Sequence, residues 1–164
     1  MSQLQNDLML AHAAFLNLPY ILAAIQNGAD PLYQHQSGES VALALANLGD
    51  DIGVYELAKL EPRVLFQRSA HGETPAIRLA FQNHHTAVVH LARLNPDILT
   101  QIGPNGTTCA LLAAMRGYGE EVVQLATIKR EVVLQKVYGK DVIEWLISKG
   151  KDDAATELEN IKKF

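Results

Sequence analysis

Apolar residues in this chain come in short bursts at helical spacing, separated by turns. Between Ser69 and Gln101 the sequence reads as a complete unit. A glycine-containing turn, Ser69 to Pro75, leads into an apolar segment, Ala76 to Gln82. Asn83 to His85 then breaks the pattern. From Thr86 to Leu94, Val88, Val89, Leu91 and Ala92 fall on one face at helical spacing. Pro96 cannot continue a helix and ends that element. The pattern predicts two short helices joined by a tight turn, with Asp97 to Gln101 leading into the next turn. Thr74 before Pro75 suits a helix start, with threonine as N-cap and proline at the first helical position. Ser40 and Thr108 occupy the equivalent places.

The same unit returns along the chain. Gly38, Gly72, Gly106 and Gly139 are spaced 34, 34 and 33 residues apart, and Gln34, Gln67, Gln101 and Gln135 are spaced 33, 34 and 34. Leu57, Leu91, Leu125 and Leu158 form a third column, and Ala46, Ala80 and Ala114 a fourth, continued by Ile147. Gly49, Gly117 and Gly150 also align, with Asn83 in the gap. Several columns sharing one period identify an internal repeat. Helices this short are marginal alone in water. Each pair must therefore cover its apolar face with the next, which predicts an αα-solenoid.

Gly72-Glu-Thr-Pro75 and the unit it opens resemble an ankyrin repeat, whose marker is T-P-L-H-x-A at a period of 33. Asn27-Gly-Ala-Asp30 is similar to the G-A-D that closes many such units. Gly106-Thr-Thr108, Ala113-Ala114, Gly117 and Val122-Val123 follow the same template. The likeness covers roughly residues 16 to 160. It departs from the family at the marker's leucine, histidine and alanine, which are Ala76, Ile77 and Leu79 here. Leu43, Ile77, Leu111 and Glu144 stand where the histidine would, and one extra residue lies between the helices of each unit. Inter-repeat turns other than regular hairpins are therefore expected. Tetratricopeptide repeats share the 34-residue period, but their markers are not in register. The resemblance implies an all-α solenoid of stacked helix-turn-helix repeats in one domain, 1–164. Residues 1–36 form an N-terminal cap, 37–70, 71–104 and 105–137 internal repeats, and 138–164 a C-terminal cap. The N-terminal cap reads as two helices split near Asn17-Leu-Pro19. The C-terminal helix carries Asp152 and Asp153 at its start and Lys162 and Lys163 at its end, the favourable order for the helix dipole.

Composition agrees with packed helices. The 164 residues include 23 leucines and 21 alanines, both strong helix formers. The net charge of −4 argues against a broad nucleic-acid surface. No apolar run reaches the ~18 residues of a membrane span, and Met1 to Asp7 lacks the charged region of a signal peptide. A lone cysteine, Cys109, excludes an internal disulfide and a multi-cysteine zinc site, and favours a reducing compartment.

Candidate chemistry is sparse. His84, His85 and His90 lack the i, i+4 spacing of a helical zinc pair and read as turn residues plus one exposed helix position. Cys109 has no base in its own unit. A helix's first turn would lower its pKa somewhat, but it reads better as a small, half-buried packing residue. Gly103 to Gly106 lacks the lysine and hydroxyl of a phosphate loop. Asp50-Asp51, Glu120-Glu121 and Asp152-Asp153 sit where second helices begin, where acids favour the dipole. No catalytic residue, metal site or cofactor is expected.

In ankyrin-like stacks the first helices and the turns before them form the concave partner-binding surface. Carried over residue by residue, its outward positions are Ala44, Asn47 and Leu48; Arg78, Phe81 and Gln82; Leu112, Met115 and Arg116; and Trp145, Ser148 and Lys149. The turn tips add His35 to Ser37, Arg68 to His71, Ile102 to Asn105, and Val137-Tyr138. The residues chosen as partner-binding are Arg68, His71, Arg78, Phe81, Gln82, Leu112, Met115, Arg116, Tyr138 and Trp145. Tryptophan and arginine are common interface anchors, and methionine adapts to varied surfaces. The same pattern allows some of these residues to pack under the caps, and for Trp145 burial and exposure fit equally well. The resemblance implies a non-catalytic, monomeric module that binds another protein, without nucleic acid or membrane insertion. It would be an adaptor, or an effector secreted by an intracellular bacterium, working in the cytoplasm or the host cytosol. The alternatives are a small metal-dependent enzyme on an αα-solenoid, or a self-associating protein.

Overall fold

The computed structural model describes residues 3–164; Met1 and Ser2, part of the expected N-terminal cap, lie outside the described residues. The chain is predominantly helical. Its α-helices are α1 (Gln3–Ala13), α2 (Leu18–Gln26), α3 (Val41–Asn47), α4 (Asp51–Leu60), α5 (Pro75–Phe81), α6 (His85–Leu94), α7 (Cys109–Met115), α8 (Gly119–Ile128), α9 (Val142–Ser148) and α10 (Asp152–Lys163). The strands β1 (Lys136–Val137) and β2 (Lys140–Asp141) form one antiparallel hairpin. By internal contacts the chain divides into two compact units, residues 1–79 and 80–164, with the boundary inside α5.

Element lengths recur. α3, α5, α7 and α9 each have 7 residues. α4, α6 and α8 each have 10. Each of these three is followed by a 5-residue 3-10 helix: Pro62–Phe66, Pro96–Thr100 and Arg130–Leu134. The segments read from sequence as leads into a turn are thus helical in the tighter form. Pro96 ends α6 and opens the next 3-10 helix, because its fixed φ suits a first helical position.

The first helices start at side-chain caps. Ser40, Thr74 and Thr108 accept hydrogen bonds from the amides of Leu43, Ile77 and Leu111 at 3.3, 3.4 and 3.2 Å. At α9 the cap is Asp141. Its carboxylate accepts from the Glu144 amide at 2.9 Å, while Glu144 accepts from the Asp141 amide at 2.8 Å, a capping box. Glu144, a departure from the repeat marker, thus works as a cap. The helices stop at left-handed residues: Gly49, Gly117 and Gly150 have φ of 73°, 81° and 70°, and Asn83 has 67°. Asparagine is the usual substitute for glycine there, which explains its place in that column.

Within residues 80–164, α8 packs on α6, α7 and α10, and α7 packs on α9. Second helices thus meet second helices and first meet first. In residues 1–79, α1 packs on α2 and α3, and α3 on α4. α3, α5 and α7 are enclosed on most sides, whereas α9 buries only Val142, Ile143 and Leu146. In α7 all of Cys109 to Ala114 are buried, and in α3 only Ala44 and Asn47 are not. Leu91, Val88, Val89 and Ala92 are buried as the pattern predicts.

The glutamine column has a backbone role. Gln67 Nε2 donates to the Leu32 carbonyl at 2.8 Å, and Gln135 Nε2 to the Leu99 carbonyl at 2.6 Å. Thr108 Oγ1 also donates to Gln135 Oε1. Gln67 and Gln135 thus each hold backbone one unit earlier, where irregular loops would otherwise leave a carbonyl unsatisfied, while Gln34 Nε2 donates to the Gly38 and Arg68 carbonyls. No helix among the described residues is long and apolar enough to cross a membrane.

Candidate partner-binding surface

Repeat position sorts the expected contact residues. Ala44, Arg78, Leu112 and Trp145 share the fourth position of the seven-residue helices. Arg78 and Leu112 are buried, at 8% and 4% exposure, while Ala44 and Trp145 are half-buried. The expectation that Arg78 and Leu112 face outward is corrected. α5 and α7 have no free flank at their centres, whereas the same position in α3 and α9 keeps partial access. The seventh and eighth positions do reach the surface. Phe81 and Met115 are half-buried, and Asn47, Ser148, Leu48, Gln82, Arg116 and Lys149 are exposed.

Arg78 illustrates what a charge needs in the fourth position. Its Nη2 lies 2.7 Å from Glu39 Oε1 and its Nε 2.9 Å from Glu73 Oε2. Nη1 also donates to the Leu43 carbonyl at 2.9 Å. The two carboxylates raise its pKa against the opposing cost of burial. This guanidinium is fully engaged within residues 1–79 and serves the frame. Arg68 Nη1 donates to the Gly72 carbonyl at 2.8 Å, closing its own turn, and His71 is exposed at that turn's tip.

Residues 80–164 carry a different arrangement. Arg116 is exposed and donates through Nη1 to the Ala80 carbonyl at 2.6 Å. The hairpin turns on Tyr138 and Gly139, both left-handed at φ 51° and 77°. Two positive φ values are what a two-residue hairpin turn demands, and the first position normally takes asparagine or glycine. Tyr138 instead projects there with 66% of its surface exposed. Lys140 Nζ sits 4.9 Å from the Trp145 ring centroid, a cation–π contact. The Trp145 indole Nε1 is buried without a hydrogen-bond partner. A Cβ on Gly117 would lie 3.4 Å from Lys149 Cβ, so Lys149 stands beside the turn that follows α7. Lys140 carries no signal in the sequence pattern, and Lys149 reads there only as an outward position. The available signal was the repeated position: Lys149 continues the column of Leu48, Gln82 and Arg116.

Two grooves lie within this unit. One, of about 280 Å³, is lined by Ile102, Leu111, Leu134 and Lys136, with Glu131 at its edge. The other, an open cleft of about 700 Å³, gathers Glu120, Glu121, Asp152 and Asp153 around Lys151. Those acids occupy the first turns of α8 and α10, as the sequence implies.

The remaining candidates belong to the core. Cys109 is fully buried rather than half-buried, and burial pushes its thiol up to about 12, overriding the lowering expected from a helix start. His85 is not a turn residue. It opens α6, is 2% exposed, and its ring lies 4.4 Å from that of Tyr118. Neither ring nitrogen has a hydrogen-bond partner. Burial, with Arg116 and His84 nearby, lowers its pKa to about 4. His84 precedes the helix without a capping bond and His90 is exposed. No group of three or more histidine, cysteine, aspartate or glutamate side chains suited to a metal occurs among the described residues.

The chain matches no protein-family model and no curated protein.

Proposed function

We propose that this chain is a non-catalytic protein-binding module built from divergent ankyrin-like repeats. Partners engage the C-terminal ends of the seven-residue helices and the turns that precede them. The observation that carries the reading is the contrast between a fully engaged interior and an uncommitted rim. Buried caps, the glutamines and Arg78 are spent on backbone and carboxylates. Met115, Tyr138 and Trp145 retain accessible surface with no comparable role. Tyrosine held in a left-handed turn costs on the order of 1 kcal/mol, and strain of this kind collects at functional positions. Methionine, tyrosine and tryptophan are also the side chains that anchor interfaces.

Replacing Phe81 and Met115 together by aspartate tests the reading. Both lie at the half-buried rim, so the protein is expected to fold and to lose partners captured by the parent protein. Unchanged capture by a folded variant would refute it. A self-association reading has its own support in α1 and the turn after it, where Leu4, Phe15 and Leu16 are exposed. Light scattering over a concentration series distinguishes the two: a dimer dissolved by Leu4→Asp and Phe15→Asp favours self-association.

A further inference from the structure

We propose that the partner presents an acidic segment, and that it docks on the hairpin and the outward side of α9. The inference rests on the protein-binding reading above and specifies its chemistry.

Charge placement carries the argument. Lys136, Lys140 and Lys149 are exposed, and none forms an ion pair among the described residues. Of the carboxylates nearest in sequence, Asp141 is buried, while Glu144 and Glu131 are exposed. Asp141 caps α9 and lies 3.6 Å from Lys162, while Glu144 closes the capping box on the Asp141 amide. Burial takes Asp141 off the surface and capping ties one oxygen of Glu144 to backbone, which leaves three exposed lysines against Glu144 around α9 and the hairpin. At the other end of α9, Lys149 lies beside Gly117, the residue after Arg116, whose guanidinium spends one donor on the Ala80 carbonyl. A guanidinium has five donors, so most remain available. The strip is cationic in a chain of net charge −4.

Its aromatic residues give the strip contact area. Lys140 lies over the Trp145 ring, which fixes the ammonium in place beside an apolar face. Tyr138 stands at the hairpin tip, with its hydroxyl able to donate to a carboxylate. Lysines alone would be an ordinary solvated surface. Lysines fixed beside accessible tyrosine and tryptophan can desolvate on contact, which is where charge pairs gain strength. The few cations, with Glu120, Glu121, Asp152 and Asp153 on the same unit, favour a short acidic segment over a nucleic-acid backbone.

Selection from a random-peptide display library on the whole folded protein tests the proposal without a known partner. The bound peptides should be enriched in glutamate and aspartate. Their affinity should fall roughly tenfold or more on K140E/K149E, with unchanged circular dichroism, and fall as salt is raised. It should also fall when the peptide's glutamates become glutamines. Peptides that bind through Met115 and Tyr138 without acidic enrichment would overturn the acidic inference and leave protein binding standing. Failure to select any peptide sensitive to Met115→Asp or Tyr138→Ala would count against both. A single-stranded oligonucleotide that binds with the same Lys140 and Lys149 dependence, and displaces the peptides, would overturn the protein partner in favour of a nucleic acid.

Discussion

Arg78 in one unit and the strip of Lys140, Lys149 and Arg116 in the other are both cationic, and both lie on or beside seven-residue helices. Their surroundings are opposite. Arg78 is enclosed at mid-helix and meets two carboxylates and a carbonyl. The strip lies at helix ends and a hairpin, where the neighbouring acids cap a helix instead. The enclosed Arg78 is satisfied by the frame, whereas Lys140 and Lys149 at the rim form no ion pair among the described residues. Position within the repeat, more than residue type, separates scaffold from surface.

The first way to break the comparison is to remove the partners of Arg78. Glu39→Ala with Glu73→Ala leaves a buried guanidinium with only the Leu43 carbonyl as its remaining acceptor. A loss of roughly 3–5 kcal/mol is expected by denaturant titration, as for a broken buried pair. A loss of a few tenths would mean that Arg78 is solvated, and the contrast with the rim would fail.

His85 tests the same interior by pH. Its folded pKa of about 4 lies below the unfolded value near 6.5. Between these values the unfolded chain binds a proton that the folded one refuses. Stability is therefore full above about pH 6.5 and declines as pH falls toward 4, by up to about 3 kcal/mol. Melting curves at pH 7 and 4.5, compared with those of His85→Phe, isolate the effect. The variant should lose less stability on acidification. Equal slopes would place His85 in contact with water.

A smaller effect is expected from the cap. Thr108→Ala removes both the α7 cap and the hydroxyl held by Gln135, and should cost about 1 kcal/mol in a thermal or denaturant melt. The smallest concerns the rim: Lys140→Ala and Lys149→Ala should shift stability by within about 0.5 kcal/mol. A large loss there would make these lysines part of the frame.

Much of the frame is legible in the sequence. Columns of leucine, alanine and glycine mark the helix pairs, and Ser40, Thr74 and Thr108 mark their starts. Asn83 fits its glycine column because both residue types tolerate the left-handed turn. What the pattern hid was three-dimensional. Arg78 reads as surface because arginine usually is, and only the approach of Glu39 from 39 residues away reveals a buried pair. His85 reads as a turn because histidine is polar, and its burial depends on Tyr118 covering it. Lys140 drew no notice because its contact is with the face of Trp145, a relation no spacing rule announces.

The central claim is that the hairpin and α9 receive an acidic partner. Trp145 is the only tryptophan in the chain and lies inside the strip, so its emission reports on that surface alone. Titrating a display-selected acidic peptide into the protein should change this emission saturably, with an affinity that weakens as salt is raised. Binding detected by a label on the peptide with no change at Trp145 would contradict the account.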